Sequence, residues 1–210
     1  MEEYYSMKSF TCYCEKEVDL GIDDTVNLDE WPNHYEAMKE NRFLVITCPH
    51  CGATIKPEVT VHVVSKNKNI DYFVIPELER LTFYRGKVKA PGGSEVLIGY
   101  PELFERIRML DCGINHECAE VIKYYLQCKA EESDTEGDIT LYFRKKDDRG
   151  LIFNAYGFSS GDAAEIPVPI ETYRKISETI DQTRKQEPFS EIFSGNYRSL
   201  KKLAFEAGND

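Results

Sequence analysis

No apolar run in this 210-residue chain is much longer than Phe43-Leu-Val-Ile46. A helix needs roughly 20 such residues to cross a bilayer, so no membrane span is expected. Cations are also in short supply: 26 lysines and arginines stand against 37 aspartates and glutamates, a formal net charge of −11. Non-specific nucleic-acid affinity comes mainly from basic side chains displacing counterions, so this balance disfavours a nucleic-acid partner. The opening MEEYYSMKSF has no apolar segment behind a positive one; a secretory signal is not expected, and a reducing cytoplasm is the expected compartment. Histidine is scarce (His34, His50, His62 and His116), and Gly92-Gly93 is an isolated doublet rather than a phosphate-cradling loop. No Ser-His-Asp set or Cys-His pair can be assembled from spacing, so the reading leans away from an enzyme.

Apolar material is adequate. At 41% hydrophobic and 12% aromatic residues the chain can bury a core, and at 30% charged residues it carries an ordinary soluble surface. The informative residues are seven cysteines, Cys12, Cys14, Cys48, Cys51, Cys112, Cys118 and Cys128. An odd number with two tight pairs, in a chain expected to be cytosolic, points to metal binding or thiol chemistry before disulfides.

Periodicity suggests how these cysteines are carried. A hairpin is expected over residues 7–20, pinched at Cys12-Tyr-Cys-Glu15. A helix follows, with Asp29 as its N-cap and Pro32 in its first turn, an apolar face of Trp31, Tyr35 and Met38, and Asn41 as its C-terminal cap. Arg42 to Thr47 reads as a strand running into Cys48-Pro-His-Cys51-Gly52. Val59, Val61 and Val63 alternate with Thr60, His62 and Val64, a second strand of period two, and Lys66-Asn-Lys-Asn69 turns it into a third near residues 71–75. Residues 76–94 read as irregular. A strand at 95–98 precedes a helical hairpin: Leu103, Phe104, Ile107 and Leu110 line the first helix, which Gly113 ends, and Cys118, Val121, Ile122, Tyr125 and Leu126 line the second. An acidic linker is expected at 130–137, then a hairpin through Ile139, Leu141 and Phe143 and back through residues 151–156. Helices are expected over 169–185, with Tyr173, Ile176 and Ile180 inward, and over 196–207.

Cys48-Pro-His-Cys51-Gly52 is the sharpest chemical signal. Two thiolates on a tight turn can converge on one tetrahedral ion, and Pro and Gly help the backbone fold so that its N–H groups face sulfur. Cys12 and Cys14 complete a four-thiolate set, because alternate residues of an extended segment project to one side; His50 or His62 replacing one cysteine is the other option. The separation of the pairs exceeds the roughly 15–20 residues of a familiar zinc ribbon. Cys-Pro-His-Cys also resembles the dithiol of thioredoxin-fold oxidoreductases, but there the first thiolate is activated by a helix N-terminus, whereas Gly52-Ala-Thr-Ile-Lys-Pro57 reads as strand. Cys118 lies on an apolar stripe and is expected to be a small buried hydrophobe. Cys112 and Cys128 receive no role. His34 is expected at the surface, His62 as a satisfied structural histidine and His116 at a helix start. Arg174, Lys175, Arg184, Lys185, Arg198, Lys201 and Lys202 make the C-terminal helices locally basic, which reads as a solvated helix face before a nucleic-acid groove.

In this order, the first cysteine pair, the helix from Val26-Asn-Leu-Asp29 to Asn41, Phe43-Leu-Val-Ile-Thr-Cys-Pro-His-Cys-Gly52 and the helical hairpin from Glu102-Leu-Phe-Glu-Arg-Ile-Arg108 to Tyr125 resemble the CpXC family. That bacterial and archaeal group of unassigned function is named for two cysteine pairs. The resemblance covers about residues 8–128. It implies a metal role for Cys48 and Cys51, which match fully; Cys12-Tyr-Cys14 departs, being one residue shorter and lacking the proline, so the same knuckle hydrogen bonds cannot all form there. The family brings no reaction, substrate or catalytic residue.

The expectation is therefore an α+β protein. A CpXC-like domain (1–129) holds a small antiparallel sheet and helices clamped by a structural Zn2+ on Cys12, Cys14, Cys48 and Cys51, and a smaller α+β region (138–210) follows. A closed thiolate shell leaves no open position for substrate. The expected role is a non-enzymatic interaction or adaptor protein that binds a protein partner or itself, with a nucleic-acid-binding zinc ribbon and a Cys48-Pro-His-Cys51 thiol-disulfide oxidoreductase as the alternatives.

Overall fold

The computed structural model describes residues 6–203. The chain divides into two units, one up to Phe104 and one from Glu105 onward.

The first unit opens with an antiparallel hairpin of β1 (Ser6–Thr11) and β2 (Glu17–Ile22), with Thr11 opposite Glu17 at its tip. After β3 (Thr25–Asn27), helix α1 (Pro32–Lys39) starts with proline in its first turn, where a missing N–H costs nothing. Its end is a Schellman motif: Asn41 has a φ of 56°, its amide bonds Met38 O, and the Arg42 amide bonds Ala37 O. Asp29 does not cap this helix. Its carboxylate instead accepts from the Ser65 hydroxyl (2.6 Å) and from the amides of Lys66 (2.8 Å) and Asn67 (3.3 Å), fixing the turn expected at 66–69. Tyr35 and Met38 are buried as the spacing predicts, whereas Trp31, one residue ahead of the helix, is exposed.

The expected strand over 42–47 contracts to β4 (Ile46–Thr47), because Leu44 is left-handed and the Val45 amide turns back to Arg42 O. It pairs with β5 (Thr54–Ile55) as a second small antiparallel hairpin. Then β6 (Val61–Ser65) and β7 (Ile70–Ile75) form the expected antiparallel pair, flanked by β3 beside β6 and by β8 (Glu95–Ile98) beside β7. Both flanking pairs are parallel, because the long segments joining those strands act as crossovers, not turns. The connection at 76–94, expected to be irregular, contains a 3₁₀ turn (Glu77–Glu79) and helix α2 (Arg80–Tyr84). Val61, Val63, Val74, Val96 and Leu97 are buried on this sheet.

Helix α3 (Tyr100–Asp111) carries the boundary between the units. Gly113 ends it with a φ of 64°, the Ile114 amide bonding Met109 O and the Gly113 amide bonding Leu110 O. This Schellman turn brings Met109 and Ile114 together in one core, which is why Met109 is buried and Leu110, expected inward, is exposed. Helix α4 (His116–Ser133) is capped by Asn115, whose side chain accepts from the amides of Glu117 and Cys118. It runs four residues into the expected linker, and Tyr125, placed on its apolar stripe, is exposed.

The second unit continues with β9 (Thr140–Lys146), β10 (Gly150–Tyr156) and β11 (Ala164–Pro169), an antiparallel sheet in the order β11-β10-β9. The hairpin of β9 and β10 is as predicted; β11 is an addition, with two prolines on a sheet edge where missing donors are tolerated. Its inward side chains Ile139, Leu141, Phe143, Leu151 and Phe153 share a core with Met109, Ile114, Ala119 and Ile122. Cys118 and Val121 of helix α4 pack instead with Ile180, Phe189 and Ile192. Helix α5 (Ile170–Thr183) turns Tyr173, Ile176 and Ile180 inward as expected, and α6 (Phe189–Ile192) follows. The helix predicted over 196–207 begins only at Lys201, and its remainder lies outside the described residues.

A charged cluster lies inside this unit. Lys123 Nζ is 2.7 Å from Glu120 Oε1 and 3.1 Å from Glu105 Oε2, all three side chains being buried. The remaining lone pairs are used: Glu105 Oε1 accepts from the Phe143 amide and Glu120 Oε2 from the Leu200 amide. Burial would lower the ammonium's pKa, but the two carboxylates outweigh it and hold Lys123 above its ordinary value. One ammonium between two acids leaves a negative charge over, and burial pushes Glu105 upward. Removing the cation alone strands two buried acids, so Lys123→Met is expected to cost about 3–5 kcal/mol in a denaturant titration. A loss within 1 kcal/mol would mean that the pair is not held as described.

The Asp29 carboxyl is held below its ordinary 3.8, chiefly by the Ser65 hydroxyl and then, against some desolvation, by the amides of Asn67 and Lys66. A carboxyl lowered on folding adds stability above the unfolded pKa and loses it as pH falls through the folded one. Stability followed from pH 7 downward should therefore begin to fall near pH 3.8, and Asp29→Asn should flatten that acid limb while lowering stability at neutral pH.

Candidate metal centre

The tips of the two small hairpins, β1–β2 and β4–β5, carry the two cysteine pairs. At the first, the Cys12 amide bonds Lys16 O (2.9 Å) and the Glu15 amide bonds Cys12 O (2.8 Å). At the second, the Cys48 amide bonds Ala53 O (2.8 Å) and the Gly52 amide bonds Cys48 O (2.9 Å). The residue after the second cysteine is left-handed in both, Glu15 at 64° and Gly52 at 75°. Glycine takes that conformation freely, whereas Glu15 adopts it at a cost of about 1–2 kcal/mol. Both turns therefore close through a left-handed residue, and the shorter tip, which has no glycine there, bears the strain.

The tips meet sulfur to sulfur. Cys12 Sγ lies 3.6 Å from Cys51 Sγ and Cys14 Sγ 3.8 Å from Cys48 Sγ. All four sulfurs fall within 4.8 Å of one another. A tetrahedral ion with metal–sulfur bonds of about 2.3 Å has sulfur–sulfur edges of about 3.8 Å, so the four thiols stand at metal-binding distance, placed like the ligands of a zinc knuckle. Cys12 and Cys48 are buried with Val18, and Ile46, Ala53 and Ile55 pack around them; Cys14 is half-buried and Cys51 exposed.

Backbone amides face the sulfurs, as a thiolate site requires. Burial alone would raise the Cys48 thiol, but the amides of His50 and Cys51, joined by the Cys12 and Cys51 thiols, bring it down to about 6. Cys51 is lowered by the Ala53 amide, yet the other three cysteines and burial push it up to about 12. Cys12 receives the Cys14 amide and is still raised by burial and by Cys48. Two amides thus serve the first sulfur of the longer tip and one serves that of the shorter, the difference expected from its missing residue. Cys48 thus gives up its proton readily, while Cys12 and Cys51 hold theirs. A cation at the centre would remove that hold.

The other sequence candidates are elsewhere. Neither His50, which is exposed, nor His62 joins the four-cysteine group. His62 Nε2 is 2.7 Å from Asp71 Oδ1 and 3.3 Å from Ser94 Oγ, so the fold does assemble a Ser, His and Asp set that spacing did not reveal. Both partners share one ring nitrogen and Ser94 is buried; a proton relay needs them on opposite nitrogens, so this histidine is a structural one, as expected. His34 is half-buried against Phe43, their ring centroids 5.4 Å apart, not at the surface. Cys118 is fully buried among Val121, Ile180 and Phe189, as its stripe predicts.

The chain after Cys51 enters β5, not a helix. The basic C-terminal residues are largely engaged: Arg184 and Arg198 pair with Glu117, Arg174 with Glu171, Lys201 with the Tyr142 hydroxyl, and Lys202 with the carbonyls of Glu191 and Ser194. Sequence reading missed Glu15 and the apolar seat of the cluster, since Val18, Ile46 and Ile55 look like ordinary strand residues until the hairpins are juxtaposed.

Among the described residues no helix is long and apolar enough to cross a membrane. No solved structure matches the chain. An uncharacterized protein of Treponema pallidum (strain Nichols) is 27% identical over 223 residues, covering 96% of this chain and all of the relative. Residues 10–123, which contain both hairpin tips, match the family model described as CpXC protein. The chain belongs to the CpXC family.

Proposed function

We propose that this protein is a zinc-stabilised, non-enzymatic interaction module in which Cys12, Cys14, Cys48 and Cys51 hold one structural Zn2+. The observation that carries the reading is the convergence of four sulfurs from two hairpin tips within 4.8 Å. Four thiolates fill a tetrahedral shell, so the ion has no open position at which to activate water or substrate. Its contribution is to join the tips; structural zinc sites are worth an apparent ~10 kcal/mol or more at neutral pH. Function then lies in the surfaces so ordered, with a protein partner or a second copy as the ligand, and the cytoplasm as the compartment in which the thiols stay reduced.

The alternatives have less to draw on. Basic side chains that pair with Glu117 and Glu171 are poorly placed to displace counterions from a phosphate backbone. A dithiol oxidoreductase draws its thiolate from a helix N-terminus, and here β5 follows the Cys-Pro-His-Cys turn.

Elemental analysis of the reduced, purified chain should find one zinc per chain. Stripping it with a strong chelator should lower the midpoint of unfolding, and returning zinc should restore it. Cys48→Ser and Cys12→Ser should each abolish stoichiometric zinc; retention in the second variant alone would remove the shorter pair from the site, and a metal-free wild-type chain would end the proposal.

A further inference from the structure

The four cysteines permit a second way of joining the hairpin tips that needs no ion. We infer that, once free of metal, they are oxidised by hydroperoxides to two crossed disulfides, Cys12–Cys51 and Cys14–Cys48, so that the same tips are locked covalently. The inference rests on reading the four residues as one site and concerns how that site is modified.

Geometry selects this pairing. The two sulfur approaches of 3.6 and 3.8 Å both run between the tips, joining residues 39 and 34 positions apart. Each unites a buried sulfur, Cys12 or Cys48, with a more accessible one, Cys51 or Cys14. An oxidant can therefore reach one member of each pair while its neighbour waits behind it. The local alternative, Cys48–Cys51, leaves Cys12 and Cys14 to each other with only Tyr13 between them, a tight ring with poor disulfide geometry. It would also leave the β1–β2 hairpin untethered, whereas a bridge over a long loop removes more entropy from the unfolded chain.

The chemistry balances with the peroxide as oxidant. The accessible thiol attacks one peroxide oxygen and gives up its proton, breaking the O–O bond to leave a sulfenic acid and water. The buried thiol of the pair then displaces the sulfenic oxygen as water and forms the S–S bond. Each bridge consumes one peroxide and surrenders two electrons from sulfur, so two equivalents oxidise the cluster. In the metal-loaded chain the same reaction would release the ion, because a disulfide sulfur is no longer a thiolate ligand.

The test uses the full chain, stripped with a chelator under reductant, desalted and treated with two equivalents of hydrogen peroxide. Remaining thiols are alkylated, and the bridges are assigned by fragmentation mass spectrometry. Cys12–Cys51 and Cys14–Cys48 should dominate, with Cys112 and Cys128 still alkylated. Three double variants isolate the pairs. Cys14→Ser with Cys48→Ser leaves the first crossed pair, Cys12→Ser with Cys51→Ser leaves the second, and Cys12→Ser with Cys14→Ser leaves the local pair. The crossed pairs should oxidise at least tenfold faster than the local one. Predominant Cys48–Cys51 in the wild-type chain, Cys12–Cys48 with Cys14–Cys51, or equal rates in the variants would overturn the inference. Elemental analysis before stripping separates the two readings. Crossed bridges in a chain that never held metal would sink the zinc proposal alone, and local bridges in a chain that did would sink this one alone.

Discussion

Four sulfurs gathered within 4.8 Å are a constraint before they are a function. Four negative charges cannot share that space unless something neutralises them, so the cluster has three chemical resolutions: protons, a cation, or bonds between the sulfurs. The surrounding structure offers little else to hold the tips. The β4–β5 hairpin has two-residue strands, and from β1–β2 only Cys12, Val18 and Ile22 are buried. A buried Val or Ile contributes about 1.5–3 kcal/mol, whereas ordering the backbone costs about 1–2 kcal/mol per residue. Isolated two-stranded hairpins are marginal for the same reason, so the ion proposed at the tips would supply what packing does not.

The amino-acid pattern made much of this site legible and little of its surroundings. Cys48-Pro-His-Cys51-Gly52 announces its turn because proline and glycine at those positions fix the backbone. Cys12-Tyr-Cys14 is legible only as a partner, since its left-handed residue is Glu15, which local preference would not select. The helical hairpin was readable from period and caps, and Asn41 and Gly113 end their helices as their residue types suggest. Phase near a helix end was not: the Schellman contact between Met109 and Ile114 turns the core toward Met109 and leaves Leu110 outside. Asp29 shows a similar limit. Its type and position suit a helix cap, but a long-range turn at Ser65–Asn67 offers three donors at once, and a sequence cannot display partners that far away.

Glu105, Glu120 and Lys123 look like a solvated helix face, and they are buried because backbone amides of Phe143 and Leu200 consume the lone pairs that water would otherwise fill. Such a group is tolerated inside only when every member is satisfied. The result is specificity of a directional kind: the hairpin, a strand of the sheet and the C-terminal segment of the second unit are tied at fixed backbone positions.

Helix α3 extends the same logic to both sheets. In the first unit Glu102 accepts from the Ile98 amide while Arg80 donates to the Ile98 carbonyl. In the second, Glu105 accepts from the Phe143 amide while Arg108 donates to the Phe143 carbonyl. Ile98 and Phe143 belong to β8 and β9, each at an edge of its sheet, where an unpaired backbone would invite another strand. An acid and an arginine occupy the backbone groups of one residue on each of these edges, and prolines blunt the opposite edge of the second sheet at β11. Strand addition at these edges would have to displace charge-assisted hydrogen bonds, which are stronger than the neutral ladder bonds that would replace them.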